Sequence, residues 1–182
     1  MENAIEAGAS RIEVVVDEDP AVDRLVIEVS DNGRGMSKAM AERVLDPFFT
    51  TRKTRHVGLG LPLFAAAAER CDGRLTVESE VGKGTRVRAT FRHSHIDRAP
   101  LGDMPSALMA ILLSGRPVDL AYVHRLGDAE FRFDSAEVRR ELGDVPLTYP
   151  AVRRWLWQTL REGEESLRAD PTERESPDRG KR

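Results

Sequence analysis

Apolar and polar residues alternate in several short stretches along the first half of the chain, the pattern of half-buried β-strands. Two such stretches, Arg11 to Asp17 and Arg24 to Ser30, are separated by turn-forming residues that begin at Glu18, so they predict an antiparallel hairpin. A second hairpin is predicted around the turn Gly82-Lys83-Gly84. Its core-facing residues are Leu75 and Val77 before the turn, and Val87, Ala89 and Phe91 after it.

Three helical segments accompany these strands: Asn3 to Ala7, Ser37 to Leu45, and Leu59 to Cys71. Ser37 can cap the second helix, and Pro62 falls in the first turn of the third, where its missing N–H costs nothing. Helices that cover one face of a mixed or antiparallel sheet form a two-layer sandwich. The pattern therefore predicts an α+β fold.

More elements follow residue 95 and predict a small C-terminal α+β unit over residues 96–167. They are a helix from Pro105 to Leu113, strands at Leu120 to His124 and Glu130 to Phe133, a helix that Asp134 or Ser135 caps and that ends at Leu142, and a helix from Ala151 to Leu167. In the last helix an apolar stripe contains Val152, Trp155, Leu156 and Leu160. Residues 168–182 are mostly charged or turn-forming, so we expect a disordered tail.

Composition narrows the possible functions. The 182 residues carry a formal net charge of -3, which lacks the basic surplus of most nucleic-acid-binding proteins. Cys71 is the only cysteine, so an intramolecular disulfide and a cysteine-rich metal site are excluded. No apolar stretch is long enough to span a bilayer, and no signal peptide is recognisable at Met1, so the sequence predicts a cytoplasmic protein.

The segment Asp31-Asn32-Gly33-Arg34-Gly35 follows the second predicted strand and could hold a nucleotide base. A carboxylate at a strand end can accept a hydrogen bond from an adenine amine, and glycines leave space for the ring. Because Asp-Asn-Gly is also strong turn chemistry, a tight turn is the alternative interpretation.

Glycines precede the third helix, where free backbone N–H groups and the helix dipole favour an anion. Gly58 and Gly60 could let phosphate approach, and Arg52 and Lys53 in the preceding segment could neutralise it. The alternative is a solvated basic loop. Asn3 could supply one oxygen ligand to Mg²⁺, which needs few protein ligands when it is bound with triphosphate, although a lone asparagine is usually a surface residue.

Five segments, taken in order, resemble the motifs of the GHKL ATPases, the Bergerat-fold superfamily of gyrase, histidine kinases, heat-shock chaperones and MutL-type proteins. They are Asn3 to Ala9, Asp31 to Met36, Asp46 to Thr51, Gly58 to Leu61, and Gly82 to Thr85. The resemblance covers residues 1–95 and implies a histidine-kinase-like ATP-binding domain with ATP and Mg²⁺ as ligands.

The resemblance also implies a role for each matching residue. Asn3 corresponds to the magnesium ligand, Asp31 to the acceptor of the adenine amine, Thr85 to a helper at the adenine, and Gly33 and Gly35 to the residues that make room for the base. The remaining matches concern the phosphates and a lid over residues 50–57. The phosphate-binding backbone corresponds to Gly58, Leu59, Gly60 and Leu61. Thr51, Arg52 and Lys53 lie within the lid, and Phe48 and Phe49 correspond to its apolar anchor. Plain core packing is the alternative for the two phenylalanines.

The chain departs from the family pattern at two points. Asn3 lies two residues from the start, so the general base that hydrolytic relatives carry one turn earlier would precede Met1; either the start is truncated or ATP is bound without efficient hydrolysis. Self-contained histidine kinases carry a phosphorylatable histidine followed by an acidic residue. The histidines here, His56, His93, His95 and His124, lack that setting.

These observations leave the enzymatic status open between two functions. One is phosphoryl transfer from Mg-ATP to an acceptor on a partner protein, since Asp46 to Thr51 followed closely by Gly58 to Leu61 is similar to histidine kinases. The other is an ATP-dependent switch without catalysis that regulates or assembles a partner complex; the chain also resembles ATP-binding companions of multi-subunit redox enzymes. A MutL-like DNA-repair role would need a basic groove, which the acidic balance disfavours.

Overall fold

The structure is a computed structural model, and it describes residues 1–46 and 60–169. Helices and strands alternate along the chain. In order they are α1 (Glu2–Glu6), β1 (Arg11–Asp19), β2 (Arg24–Asp31), α2 (Lys38–Arg43), α3 (Gly60–Arg70), β3 (Arg74–Glu80), β4 (Gly84–Arg92), α4 (Met104–Leu112), β5 (Asp119–Leu126), β6 (Ala129–Asp134), α5 (Ser135–Leu142) and α6 (Pro150–Arg168).

The strands form one mixed sheet of six strands in the order β3-β4-β2-β1-β5-β6. Both predicted hairpins are present as the antiparallel pairs β1–β2 and β3–β4, while β1 and β5 pair in parallel. The α+β prediction is confirmed. Strands of the predicted C-terminal unit extend the same sheet, so β1 is an interior strand whose backbone is paired on both sides. The boundary between residues 95 and 96 stays a prediction, with the sheet continuous across it.

One face of the sheet is apolar and lies under the helices. On β1 this face presents Ile12, Val14 and Val16, which pair across the sheet with the apolar side of β2 and β5. α3 packs on β3 and β4, and α4, α5 and α6 pack on the half that contains β5. Buried residues of this face and of the helices join in one hydrophobic cluster. The opposite face carries mainly charged side chains.

Several helix ends follow the predicted chemistry. The Ser37 hydroxyl accepts a hydrogen bond from the Met40 N–H at 3.4 Å, and Asp134 Oδ1 accepts one from the Ala136 N–H at 2.8 Å. Pro62 lies in the first turn of α3. These caps satisfy backbone donors that a helix leaves unpaired at its start.

Three details of the sequence interpretation are wrong. Trp155 does not belong to the buried stripe of α6, since it is 48% exposed while Val152, Leu156 and Leu160 are buried. Residues four apart stack along one line of a helix, and Trp155 lies on the flank of that line. β1 also continues through Asp19, so Glu18 is a core-facing strand residue and not part of a turn. α6 includes Arg168, which the sequence analysis assigned to the tail.

Among the helices of residues 1–46 and 60–169, none has both the length and the apolar character needed to cross a bilayer.

Candidate functional site

The apolar face of the sheet ends in a polar row. On three neighbouring strands the last valines on this face are Val77, Val87 and Val29, which lie side by side. Two residues beyond these valines, towards this end of the sheet, the same face presents Ser79, Thr85 and Asp31, again side by side in the register of the sheet. Because strand side chains alternate between faces, this row lies on the helix-covered side. We call it the polar row.

Asp31 is half-buried and has one carboxylate oxygen available to a ligand. Its Oδ1 accepts a hydrogen bond from the Gly33 N–H at 2.8 Å, which forms the tight turn that Asp-Asn-Gly favours. Within residues 1–46 and 60–169, no donor reaches Oδ2. The turn and a ligand contact are therefore compatible, since each uses a different oxygen.

Hydroxyl groups complete the row beside Asp31. Ser79 Oγ accepts from the Met36 N–H at 2.8 Å, donates to the Gly84 carbonyl at 2.9 Å, and lies 2.9 Å from the Thr85 hydroxyl. Ser79 has one proton and gives it to Gly84, so Thr85 is the donor in their contact. The Thr85 oxygen is left as an acceptor for a ligand or a water molecule. Ser79 was not predicted as a site residue, although it occupies a core-facing position of an alternating strand.

Glycines at this end of the sheet permit close approaches of the protein's own backbone. A Cβ on Gly35 would lie 1.9 Å from the Glu80 carbonyl oxygen, and Gly35 has a φ of +63°. A Cβ on Gly84 would lie 1.8 Å from the Asp31 carbonyl oxygen, and one on Gly33 would lie 2.8 Å from the Ala7 Cβ. Each glycine thus has a local reason to be there. Contact of Gly33 and Gly35 with a base stays a prediction.

Two connections hold the end of α1 and the residues that follow it next to the Asp31 segment. The Arg34 N–H donates to the Ala7 carbonyl at 3.0 Å, and Asn32 Oδ1 accepts from the N–H groups of Ser10 and Arg11, both at 2.9 Å. Burial lowers the pKa of the Met1 amino group, and the Asp31 carboxylate partly opposes that shift. Asn3, the predicted magnesium ligand, is exposed on this helix.

Of the predicted phosphate-binding residues Gly58 to Leu61, the structure describes only the last two, Gly60 and Leu61. α3 begins at Gly60, which is exposed and has open space where a Cβ would stand, and Leu61 is half-buried. The other predicted residues of this part lie outside the described residues: Phe48, Phe49, Thr51, Arg52, Lys53, Gly58, Leu59 and the whole lid over residues 50–57. Their roles stay predictions.

The opposite end of the same apolar face contains a second polar group, which the sequence analysis also missed. His124 is 1% exposed; its Nδ1 lies 3.0 Å from both carboxylate oxygens of Glu164, and its Nε2 lies 3.1 Å from Glu18 Oε1. Glu18 Oε2 reaches His93 Nε2 at 3.0 Å, and the Tyr122 hydroxyl donates to Glu164 at 2.7 Å. We call these five residues the histidine–glutamate cluster.

The charges of this cluster support one another. Burial lowers the pKa of His124, but its hydrogen bonds to Glu164 and Glu18 outweigh burial and raise the pKa to about 9. Hydrogen bonding to His124 in turn holds the pKa of Glu18 below its ordinary value. Burial raises the pKa of Glu164, yet its bonds to His124 and Tyr122 lower it overall. An imidazolium between two carboxylates thus links α6 to β1 and β5.

A metal site made of clustered side chains is absent from the part of the chain that the structure describes. No group of three or more His, Cys, Asp or Glu side chains there is arranged to hold an ion. A magnesium ion bound with triphosphate does not require such a group, since phosphate and water fill most of its octahedron.

Comparison with known proteins identifies relatives of the N-terminal part. A family model described as "Histidine kinase-, DNA gyrase B-, and HSP90-like ATPase" matches residues 1–95. "Sensor kinase CckA" of Brucella abortus is 39% identical over 89 residues, which is 48% of this chain and 9% of that protein. "Sporulation kinase C" of Bacillus subtilis is 35% identical over 85 residues, 47% of this chain and 20% of that protein.

Among solved structures, the catalytic domain of the histidine kinase ThkA aligns with a TM-score of 0.42 and 22% identity, covering 53% of this chain and 63% of that one. The matched region thus spans a small part of the length of the kinases CckA and sporulation kinase C. By their names, both relatives are kinases. The chain belongs to the family of histidine kinase-, DNA gyrase B- and HSP90-like ATPases.

Proposed function

We propose that the polar row binds the base of ATP and that the chain transfers the γ-phosphoryl group of Mg-ATP to a partner protein. One observation carries the nucleotide part: a half-buried carboxylate, Asp31, offers Oδ2 at the end of an otherwise apolar sheet face, in a chain of this ATPase family. An adenine ring needs an apolar surface together with an acceptor for its amine. The row supplies both.

Each residue of the row would have a defined task. Asp31 Oδ2 would accept from the adenine amine, and the Thr85 oxygen would accept from a water molecule or from the same amine. Val29 and Val87 would contact the ring on the apolar side of the row. Asn3 would supply one oxygen to Mg²⁺, which on binding neutralises phosphate charge.

The backbone at the start of α3 would hold the phosphates. Gly60 begins the helix without a side chain, and its exposed position lets an anion approach the N–H groups of the first turn. Gly58 and Leu59 are proposed to add their N–H groups. Arg52 and Lys53 are proposed to balance the charge of the triphosphate.

An acceptor on another protein agrees with the state of the histidines that the structure describes. His124 is buried between two carboxylates, His93 bonds to Glu18, and His95 Nδ1 accepts from the Asp97 N–H at 3.1 Å. Transfer of this kind depends mainly on positioning and charge neutralisation, so the chain can act on an acceptor that a partner supplies. That partner would be a phosphoacceptor or a regulated complex.

The decisive experiment is ATP titration by calorimetry, with and without Mg²⁺, of the wild type and Asp31→Asn. The asparagine Oδ1 keeps the turn with Gly33, while its NH₂ group replaces Oδ2 and faces the adenine amine with a second donor. We expect the affinity to fall at least about tenfold. Asp144→Asn, at an exposed position outside the row, is the matched control and should bind as the wild type does. Equal affinity for wild type and Asp31→Asn would refute the base site.

The second candidate function is a nucleotide-dependent switch without catalysis, and the same reagents separate the two. With γ-labelled ATP, transfer of label to a candidate partner, lost in Asp31→Asn, supports the kinase. Binding of ATP that changes affinity for that partner, without transfer of label, supports the switch.

A further inference from the structure

The sheet face opposite the helices carries five exposed arginines on three neighbouring strands. They are Arg24 on β2, Arg74 on β3, and Arg86, Arg88 and Arg92 on β4. Their positions alternate with core-facing residues such as Leu25, Leu75 and Phe91, which fixes them on the open side. We call this surface the arginine face.

Part of the arginine face is concave. Arg24, Arg74, Arg88 and Arg92 line a shallow, open groove of about 760 Å³, and Thr90 is also part of its lining. Asp23 and Asp72 also border the groove. The Asp23 carboxylate is engaged by Ser94, through the backbone N–H at 2.7 Å and the hydroxyl at 2.8 Å, and the Asp72 carboxylate pairs with Arg92. The groove therefore presents guanidinium groups to solvent.

The arginines outnumber the carboxylates that pair with them. Arg86 and Arg88 share one partner, Glu28, at 3.3 and 2.9 Å. Arg74 makes no ion pair with any residue of 1–46 or 60–169.

Two further arginines stand directly opposite each other across the sheet, Arg24 on β2 and Arg92 on β4. Their carboxylate partners are Asp17, 3.9 Å from Arg24, and Asp72, 2.6 Å from Arg92. Like charges directly opposite one another destabilise a sheet. Asp17 and Asp72 offset part of this repulsion, and a bound anion would add to that compensation.

We propose that the arginine face docks an acidic segment of a partner protein in extended conformation. The planar guanidinium fork matches carboxylates with two parallel hydrogen bonds. Along β4 the side chains of Arg86 and Arg88 are two residues apart, about 6.6 Å, which is also the spacing of alternate side chains in an extended peptide. Acidic residues at every second position would meet this row.

The interleaved carboxylates favour an acidic peptide over a nucleic acid. Glu28, Asp72 and Glu78, which stands opposite Arg86, lie among the arginines and would repel a continuous line of phosphates, whereas a peptide can place neutral residues beside them. The chain also has a net charge of -3, which disfavours phosphate-backbone binding. Docking on this face is independent of the polar row, because the two lie on opposite sides of the sheet.

The test uses the full chain and a labelled peptide of alternating glutamate and threonine, with binding followed by fluorescence anisotropy. The variant Arg74→Gln/Arg88→Gln removes two arginines. Arg74 has no described ion pair, and Glu28, the partner of Arg88, still pairs with Arg86. We expect its affinity to fall about tenfold and the wild-type affinity to weaken between about 10 and 150 mM salt. The control Arg153→Gln/Arg154→Gln, exposed on α6, should bind as the wild type does.

Three results would overturn the proposal. The wild type could fail to bind the peptide at low salt, the control could lose as much affinity as the variant, or an oligothymidine of similar charge could bind the same face more tightly than the peptide. Arg74→Gln alone guards against misfolding, since this exposed side chain has no ion pair to lose within the described residues. Its affinity should lie between those of the wild type and the double variant.

Discussion

The two ends of the helix-covered sheet face use polar residues in opposite ways. At one end, Asp31 keeps an oxygen that no described residue satisfies, and Thr85 keeps an acceptor. At the other end, His124 has carboxylates at both ring nitrogens, and Glu18 and Glu164 each bond to more than one group. Both groups include residues at core-facing strand positions, so burial alone does not distinguish a ligand site from a structural one. The hydrogen-bonding capacity that Asp31 and Thr85 leave unsatisfied distinguishes the ligand site from the structural one.

This difference predicts opposite consequences of mutation at the two ends. Where every polar group has a protein partner, removal of one leaves buried charges and destabilises the fold. Where a polar group has hydrogen-bonding capacity that no described protein group uses, its mutation should affect ligand binding and leave stability nearly intact. The histidine–glutamate cluster and the polar row can therefore be tested as a pair, with one readout of stability and one of nucleotide affinity.

The largest expected effect is on stability, in His124→Ala. The change leaves Glu18 and Glu164 buried with their shared cation gone, so we expect the free energy of unfolding to fall by about 3–5 kcal/mol. Urea unfolding followed by circular dichroism measures it. The control is Asp31→Asn, which keeps the turn with Gly33 and should change stability by less than about 0.5 kcal/mol. If His124→Ala and Asp31→Asn were equally stable, the contrast between the two ends would be wrong.

The next effect is a pH dependence of stability that belongs to the same cluster. The folded pKa of His124, about 9, exceeds the ordinary value of 6.5, so its charge stabilises the fold fully below pH 6.5, and this contribution disappears as the pH rises through 9. The loss amounts to up to about 3 kcal/mol. Glu18 and Glu164 have lowered pKa values, so their contribution is lost as the pH falls from 4.5 through those values.

Urea unfolding at a series of pH values measures this dependence. The wild type should lose stability between pH 6.5 and 9, and His124→Ala should lack that slope because the titrating group is gone. An identical alkaline slope in both proteins would assign the dependence to other groups.

The two ends also differ in how far the sequence could predict them. Asp31 follows a complete alternating strand and begins a short motif with a known chemistry, so its position at a strand end on the polar row could be inferred from local pattern. The helices and both hairpins were predictable for the same reason. Alternation and capping are local signals that a single sequence carries.

The histidine–glutamate cluster depends on contacts that no local pattern reports. Glu18 lies 106 residues from His124, and His124 lies 40 from Glu164. The alternation of apolar and polar residues did indicate that both side chains face the core. Glu18 continues the face of Val14 and Val16, and His124 continues that of Leu120 and Tyr122. Turn-forming neighbours at Asp19 and Pro20 hid the first of these. The parallel pairing of β5 with β1, which creates the cluster, is likewise a long-range choice.

The smallest expected effect refines the polar row itself, through Ser79→Ala. The Ser79 hydroxyl links Met36, Gly84 and Thr85, so its loss should cost about 1 kcal/mol of stability and free the Thr85 proton to turn elsewhere. ATP affinity, measured by calorimetry, should fall by less than about tenfold, which is a smaller loss than in Asp31→Asn because the carboxylate remains. Thr76→Ala, on the same strand but on the opposite face, is the control and should bind ATP as the wild type does. A loss in Thr76→Ala as large as in Ser79→Ala would show that β3 responds to any substitution. In that case the loss in Ser79→Ala would give no support for a role of Ser79 in orienting Thr85.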